Sequence, residues 1–128
     1  MKRYTFIVEK TDTGYSAFAA DDKVPVVTTG ADMPQLRKNI LDALNTWLDI
    51  KHMKPAVEKE LIIRLDLAQF FEYYKVINSS ALAERIGISQ SLLSQYANGI
   101  KNPSDKQVNR ILTGIKALGQ ELTYLELI

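Results

Sequence analysis

Between positions 89 and 98 the side chains Gln90, Ser91, Ser94, Gln95 and Asn98 bring neutral amides and hydroxyls together at helical spacing. Leu92, Leu93 and Tyr96 fall on the other side of the same turn of chain. An amide both donates and accepts, which is how Gln and Asn read adenine in the major groove. A face that only meets water more often carries Lys and Glu pairs. No Asp or Glu occurs from Arg85 to Ser104, while Arg85 and Lys101 are present. A surface laid on phosphates must avoid carboxylates. Gln90, Ser91, Ser94 and Gln95 are therefore the candidates for base edges of double-stranded DNA. Asn78, Ser79, Ser80, Asn98, Lys101 and Asn102 stand where phosphates would meet helix N-termini and the following loop.

Other chemistry finds little support. A two-metal nuclease needs several carboxylates converging on its ions, and the first strand-like stretch offers none from its middle. That middle reads Thr5-Phe6-Ile7-Val8, with Glu9 near the end. Asp21 and Asp22 read as turn residues, and Asp32 and Asp66 as helix caps. His52, the single histidine, has no second ligand nearby in the sequence. No ordered Ser-His-Asp set and no glycine-rich phosphate loop is present. The expectation is a protein that is not an enzyme, with no cofactor and no metal.

The amide face must be held by something, and Ser79 to Gly99 supplies it. Asn78, Ser79 or Ser80 can cap a first helix, on which Leu82, Ala83 and Ile86 share a face. Gly87 ends it, as a residue able to take positive φ would. Ser89 caps a second helix, which Gly99 ends. Ala83 is small where two helices must cross. This is the specification of a helix-turn-helix. Over about Leu67 to Leu118 the chain resembles the phage-repressor (Xre-type) helix-turn-helix. The bland alternative is a generic helical hairpin in a small bundle.

Composition sets wider bounds. The 128 residues can bury a real core as one domain or two small ones. Hydrophobic content of 46% and charge of 24% suit a globular protein. The net charge of +1 provides no basic tail, so DNA affinity would rest on local placement and on dimerisation. There are no cysteines, hence no disulfide framework. No apolar run approaches the ~20 residues of a membrane span, and the N-terminus lacks a signal-peptide core. The expected location is the cytoplasm.

Read in order, the chain predicts an α+β architecture. Arg3 to Lys10 alternates and is rich in β-branched and aromatic residues, so it reads as a strand. Thr11-Asp12-Thr13-Gly14 is turn chemistry. Tyr15 to Ala20 and Val24 to Thr29 read as the next two strands, with Pro25 at an edge or a beginning. Asp32 caps a helix with Pro34 in its first turn. Its stripe Leu36, Ile40, Leu44, Trp47 and Leu48 carries it to about Ile50. Glu60 to Leu65 is a fourth strand, giving β-β-β-α-β with a helix on one face of a small sheet. Helices then follow from Leu67 to about Ile77, in the helix-turn-helix, and from Ser104 to Gly119, where Ser104 and Gln107 suggest a capping box. Glu121 to Ile128 alternates like a strand that needs a partner. Two domains are expected, 1–65 and 66–128, the second all-α with a C-terminal strand.

A β-β-β-α-β domain fused directly to a phage-repressor-type domain is similar to the HicB family of antitoxins. The opening strand YTFIVEK, Gly14-Tyr15, Gly30 before a helix and the amphipathic helix after it carry the likeness. Asp21-Asp22-Lys23-Val24-Pro25 stands where the family usually shows a Pro-Asp/Glu pair and a small-residue turn. The resemblance implies a truncated ribonuclease-H-like fold for residues 1–65. It also implies a partner, a small basic toxin ribonuclease (HicA-like), and repression of the operon encoding both. The exposed share of Tyr4, Tyr15, Phe18 and Trp47, with nearby acidic residues, would meet that toxin. A homodimer on a two-fold operator is expected, with Leu122, Tyr124, Leu125 and Leu127 as the first candidate contact. The alternative is a phage-like repressor whose N-terminal domain senses a ligand or only dimerises. A degenerate or active nuclease is the third.

Overall fold

Alternation at the start of the chain builds the sheet. On β1 (Tyr4–Thr11) Phe6 and Val8 point to one face and are almost wholly buried, as a period of two requires. β2 (Gly14–Ala19) returns antiparallel after a tight turn, with Phe6 opposite Ala19 and Lys10 opposite Tyr15. β3 (Val27–Gly30) runs antiparallel to β2. α1 (Met33–Ile50) then crosses one face and delivers β4 (Leu61–Leu65) parallel to β1. The sheet order is β3-β2-β1-β4. In this computed structural model residues 2–126 are described, and the chain forms two compact units, Met1–Asp66 and Leu67–Ile128.

The core of the first unit is where α1 meets the sheet. Leu36, Ile40, Leu44 and Leu48 are fully buried against Phe6, Val8 and Ala17. Each such side chain contributes about 1.5–3 kcal/mol by leaving water. The start of α1 is fixed as its sequence requires. The Asp32 carboxylate accepts from the Gln35 N–H at 2.8 Å, and the Gln35 side-chain oxygen accepts from the Ala31 N–H at 2.6 Å. At its end the Met53 N–H returns to the Leu48 carbonyl and the His52 N–H to Asp49, with His52 at φ 56°. This is the paired bond pattern of a Schellman ending. His52 thus ends a helix in a place glycine usually takes.

The connection from α1 to β4 has little regular structure, one 3₁₀ turn at Glu58–Glu60, yet it is tied to the core. Asn45 on α1 donates to the Ala56 carbonyl at 3.1 Å and accepts from the Ala56 N–H at 2.7 Å. Its amide satisfies both main-chain groups of a buried residue, as a neighbouring strand would.

Two boundaries differ from expectation. The third strand starts at Val27 rather than Val24. Pro25 brings no N–H, and the Val26 N–H turns back to the Val24 carbonyl instead of joining a ladder. The larger difference is the C-terminal strand. α5 (Asp105–Thr123) continues past Gly119, and residues 121–126 contain no strand. Leu127 and Ile128 lie outside the described residues. A strand needs a partner for its backbone, whereas a helix satisfies its own. Here the Tyr124 N–H bonds to the Gln120 carbonyl, the Thr123 hydroxyl donates to Gly119 O at 2.9 Å, and Glu121 pairs with Arg85.

The second unit also contains α2 (Leu67–Tyr73), α3 (Ser79–Ile86) and α4 (Gln90–Ala97). Leu67, Phe71, Leu82, Ala83, Leu93, Tyr96 and Ile111 are its buried residues. α2 ends before the expected Ile77, and a turn carries Val76 out to 90% exposure. Together the units form the mixed α+β architecture expected.

Asn45→Ala removes the tie between α1 and the connection and strands two polar groups of Ala56. The expected loss is about 1–3 kcal/mol, measured as a lower midpoint in urea unfolding.

Candidate nucleic-acid interface

α3 and α4 are each eight residues long, so their ends hold much of their stability. Asn78 caps α3, its side-chain oxygen accepting from the Ala81 N–H at 3.0 Å. Ser89 caps α4 through the Leu92 N–H at 3.3 Å, and Ser104 caps α5 through the Gln107 N–H at 3.2 Å. Between α3 and α4 the chain turns at Gly87, whose φ of 75° suits glycine. The Ile88 N–H reaches the Ala83 carbonyl and the Gly87 N–H reaches Glu84.

Two residues that the sequence did not single out hold this turn in place. Arg110 on α5 donates from one guanidinium nitrogen to the Ile86 carbonyl at 3.2 Å and the Gly87 carbonyl at 3.0 Å. It places a cation on carbonyls at the C-terminal end of α3, where the helix dipole favours one. Gly114, also on α5, lets the helices approach closely. A Cβ there would lie 2.2 Å from Ile86 Cγ2. A glycine inside an apolar helical stripe is the signal that could have revealed it. Nothing in the sequence points from Arg110 to a turn more than twenty residues earlier.

α4 itself lies with Leu93 and Tyr96 buried. Gln90, Ser91, Ser94 and Asn98 are exposed, and Gln95 is half-buried at the edge of that arc. The amide of Asn98 donates to the Ser94 hydroxyl at 3.3 Å. That leaves the Ser94 O–H and one Asn98 N–H to turn outward. After α4 the Ile100 and Lys101 N–H groups both bond to the Gln95 carbonyl, which fixes the start of the loop bearing Lys101 and Asn102. Both of those side chains are exposed.

At the other end of the motif Asn78 and Ser80 are exposed and Ser79 half-buried. The Asn78 oxygen is occupied by its cap, which leaves the NH₂ group as the side chain's donor. Arg85, counted from the sequence among the cations of this stretch, instead pairs with Glu121. Its charge is spent on joining α3 to the last turn of α5. Among the described residues no cluster of three or more His, Cys, Asp or Glu is placed to hold a metal ion.

Residues 77–124 match the model of a helix-turn-helix family. No curated protein and no solved structure was found to match the chain. The match covers the caps, the Gly87 turn, α4 and α5, and it does not extend to the sheet unit. With the geometry above, it makes this part of the chain a DNA-binding domain of the kind that sequence-specific transcription regulators carry. Among the described residues no helix is long and apolar enough to cross a membrane.

Two substitutions separate base reading from phosphate contact. Gln90→Ala should cost about 1–3 kcal/mol and relax preference at one position of the operator. Lys101→Ala should weaken all sequences alike and lower the slope of log affinity against log salt by about 1. Binding to a panel of single-base operator variants at several salt concentrations measures both.

Proposed function

We propose that the chain is the antitoxin of a type II toxin–antitoxin pair. Its helix-turn-helix represses the operon that encodes it, and its sheet unit neutralises a small basic ribonuclease. The observation that carries the DNA half is the exposed face of Gln90, Ser91 and Ser94 on a helix whose opposite face is buried. The toxin half rests on the resemblance to HicB antitoxins. The β-β-β-α-β order with α1 on one face supports it.

The other face of that sheet offers a surface for the toxin. Phe18 stands opposite Val27 in the β2–β3 register and opposite Ile7 in the β1–β2 register. Phe18 is 37% exposed and Val27 71%. Asp12, Asp21 and Asp22 lie exposed in the adjoining turns. Apolar anchors of this kind set affinity, and acidic neighbours speed encounter with a basic protein.

The regulator works as a homodimer. A single α4 covers few base pairs, and two copies about 34–36 Å apart would read a two-fold site. The end of α5 supplies the contact, through the exposed Leu122, Tyr124 and Leu125. Light scattering on Leu122→Asp/Leu125→Asp should then give a monomer where the unaltered chain gives a dimer.

A double dissociation in the full chain tests the two halves. Phe18→Asp/Val27→Asp should fail to rescue growth from the neighbouring toxin gene while still binding the operator. Gln90→Ala/Gln95→Ala should rescue growth while losing repression. Loss of rescue in the second variant alone would put the toxin on the helical unit. If no small basic protein co-purifies from the native operon, the alternative stands, a repressor with a ligand-sensing or dimerising N-terminal domain.

A further inference from the structure

The first unit contains a hollow lined by Tyr4 and Trp47, which the Phe18–Val27 surface proposed for the toxin does not use. It has a volume of about 540 Å³ and opens beside the start of β1. Tyr4, Trp47 and Met53 form its apolar walls, and Lys2, Arg3 and Lys23 stand at it as cations. A second hollow of about 350 Å³ shares Lys2, Tyr4 and Met53 with the first and adds Lys54. The two hollows thus adjoin at Lys2, Tyr4 and Met53.

The charge lining this groove is unequal, with Lys2, Arg3, Lys23 and Lys54 against two acids. The acids that line it are Asp21 in the first hollow and Glu60 in the second. Each is already held by the main chain. The Asp21 carboxylate accepts from the Lys23 N–H at 2.9 Å, and the Glu60 carboxylate from the Val57 N–H at 2.9 Å. Arg3 donates to the Lys59 carbonyl at 3.2 Å, which holds the guanidinium while its remaining N–H groups can still donate. Lys2 and Lys23 are exposed. Cations at the mouth and aromatic rings in the wall suit a ligand with a flat apolar body and a negative end.

We infer that this groove binds a small aromatic acid, its ring system lying against Trp47 and Tyr4 and its carboxylate meeting Lys2 and Lys23. Rings interleaved with cations also bind single-stranded nucleic acid. A hollow of 540 Å³ bounded by the Lys23 turn and Met53 fits one ring system rather than a run of bases, within the size range of small-molecule sites. A positive groove is also no seat for a basic toxin. The groove shares only Asp21 with the proposed toxin surface and no residue with the DNA face.

Trp47 is the only tryptophan of the chain, so its indole N–H gives a single resonance in a proton–nitrogen correlation spectrum. Titration of the full chain with naphthoate should shift that resonance saturably. The neutral naphthamide should bind about tenfold more weakly, as the loss of a charge-assisted contact requires. Lys2→Ala/Lys23→Ala should bring the acid down to the affinity of the amide, with melting temperature and operator binding unchanged. Equal binding of acid and amide overturns the inference, as does an unmoved indole resonance. So does a lysine variant that binds like the unaltered chain. An RNA of about ten nucleotides that shifts the indole where naphthoate does not would reassign the groove to single-stranded nucleic acid.

Discussion

An eight-residue helix does not hold itself together in water, because nucleation costs more than so few hydrogen bonds return. The reading head of this protein is built from two such helices, α3 and α4. Each therefore depends on what closes its ends and what covers its inner face. Asn78 and Ser89 occupy N-terminal donors, and the Gly87 turn occupies C-terminal carbonyls. Arg110 then ties the carbonyls of Ile86 and Gly87 to α5. The Arg85–Glu121 pair joins α3 to α5 a second time. It is partly exposed and adds little energy by itself. Glu121 lies in the last turn of α5, which continues as a helix to Thr123.

The sheet unit meets its own constraint differently. Four short strands with one helix bury one face only, so the core is a single layer between α1 and the sheet. Parallel pairing of β4 with β1 requires a long crossover. α1 and residues 51–60 form that crossover, with the Asn45–Ala56 pair standing in for secondary structure in its irregular half. The opposite face keeps Phe18 and Val27 toward solvent in neighbouring strands. That is costly for a solitary domain and useful for one that binds another protein.

How much of this was legible depended on whether the signal was local. The caps at Asp32, Asn78, Ser89 and Ser104, the left-handed Gly87 and the buried stripe of α1 are all set by near neighbours in the chain. They could be read with the sequence alone. The outward face of α4 was legible for the same reason, since Leu93 and Tyr96 define the inside and helical geometry defines the rest. Within the described residues 121–126 the expected strand is absent: the alternation fits a strand, while Ile115, Leu118 and Leu122 continue a helical stripe. Over so short a run both periods match. Arg110 and Gly114 were missed because their roles exist only once α5 lies across α3. The groove around Tyr4 was hidden likewise, being assembled from both ends of the first unit.

The charge balance constrains how such a regulator can find its site. With a net charge of +1, the chain gains little from counterion release along arbitrary DNA. Phosphate contact made through N–H donors, hydroxyls and Lys101, as expected for this chain, would keep the non-specific term small. A small non-specific term raises the ratio of specific to non-specific binding, which is the quantity that matters among many competing sites. It also lowers absolute affinity, and one amide face per copy cannot recover that alone. Pairing two copies on a two-fold site, as proposed, would recover it without adding charge, because the second helix would bind at the effective concentration set by the first. In the proposed dimer, the amides on α4 and the exposed Leu122, Tyr124 and Leu125 would be parts of one solution, with specificity read by neutral groups and affinity restored by pairing.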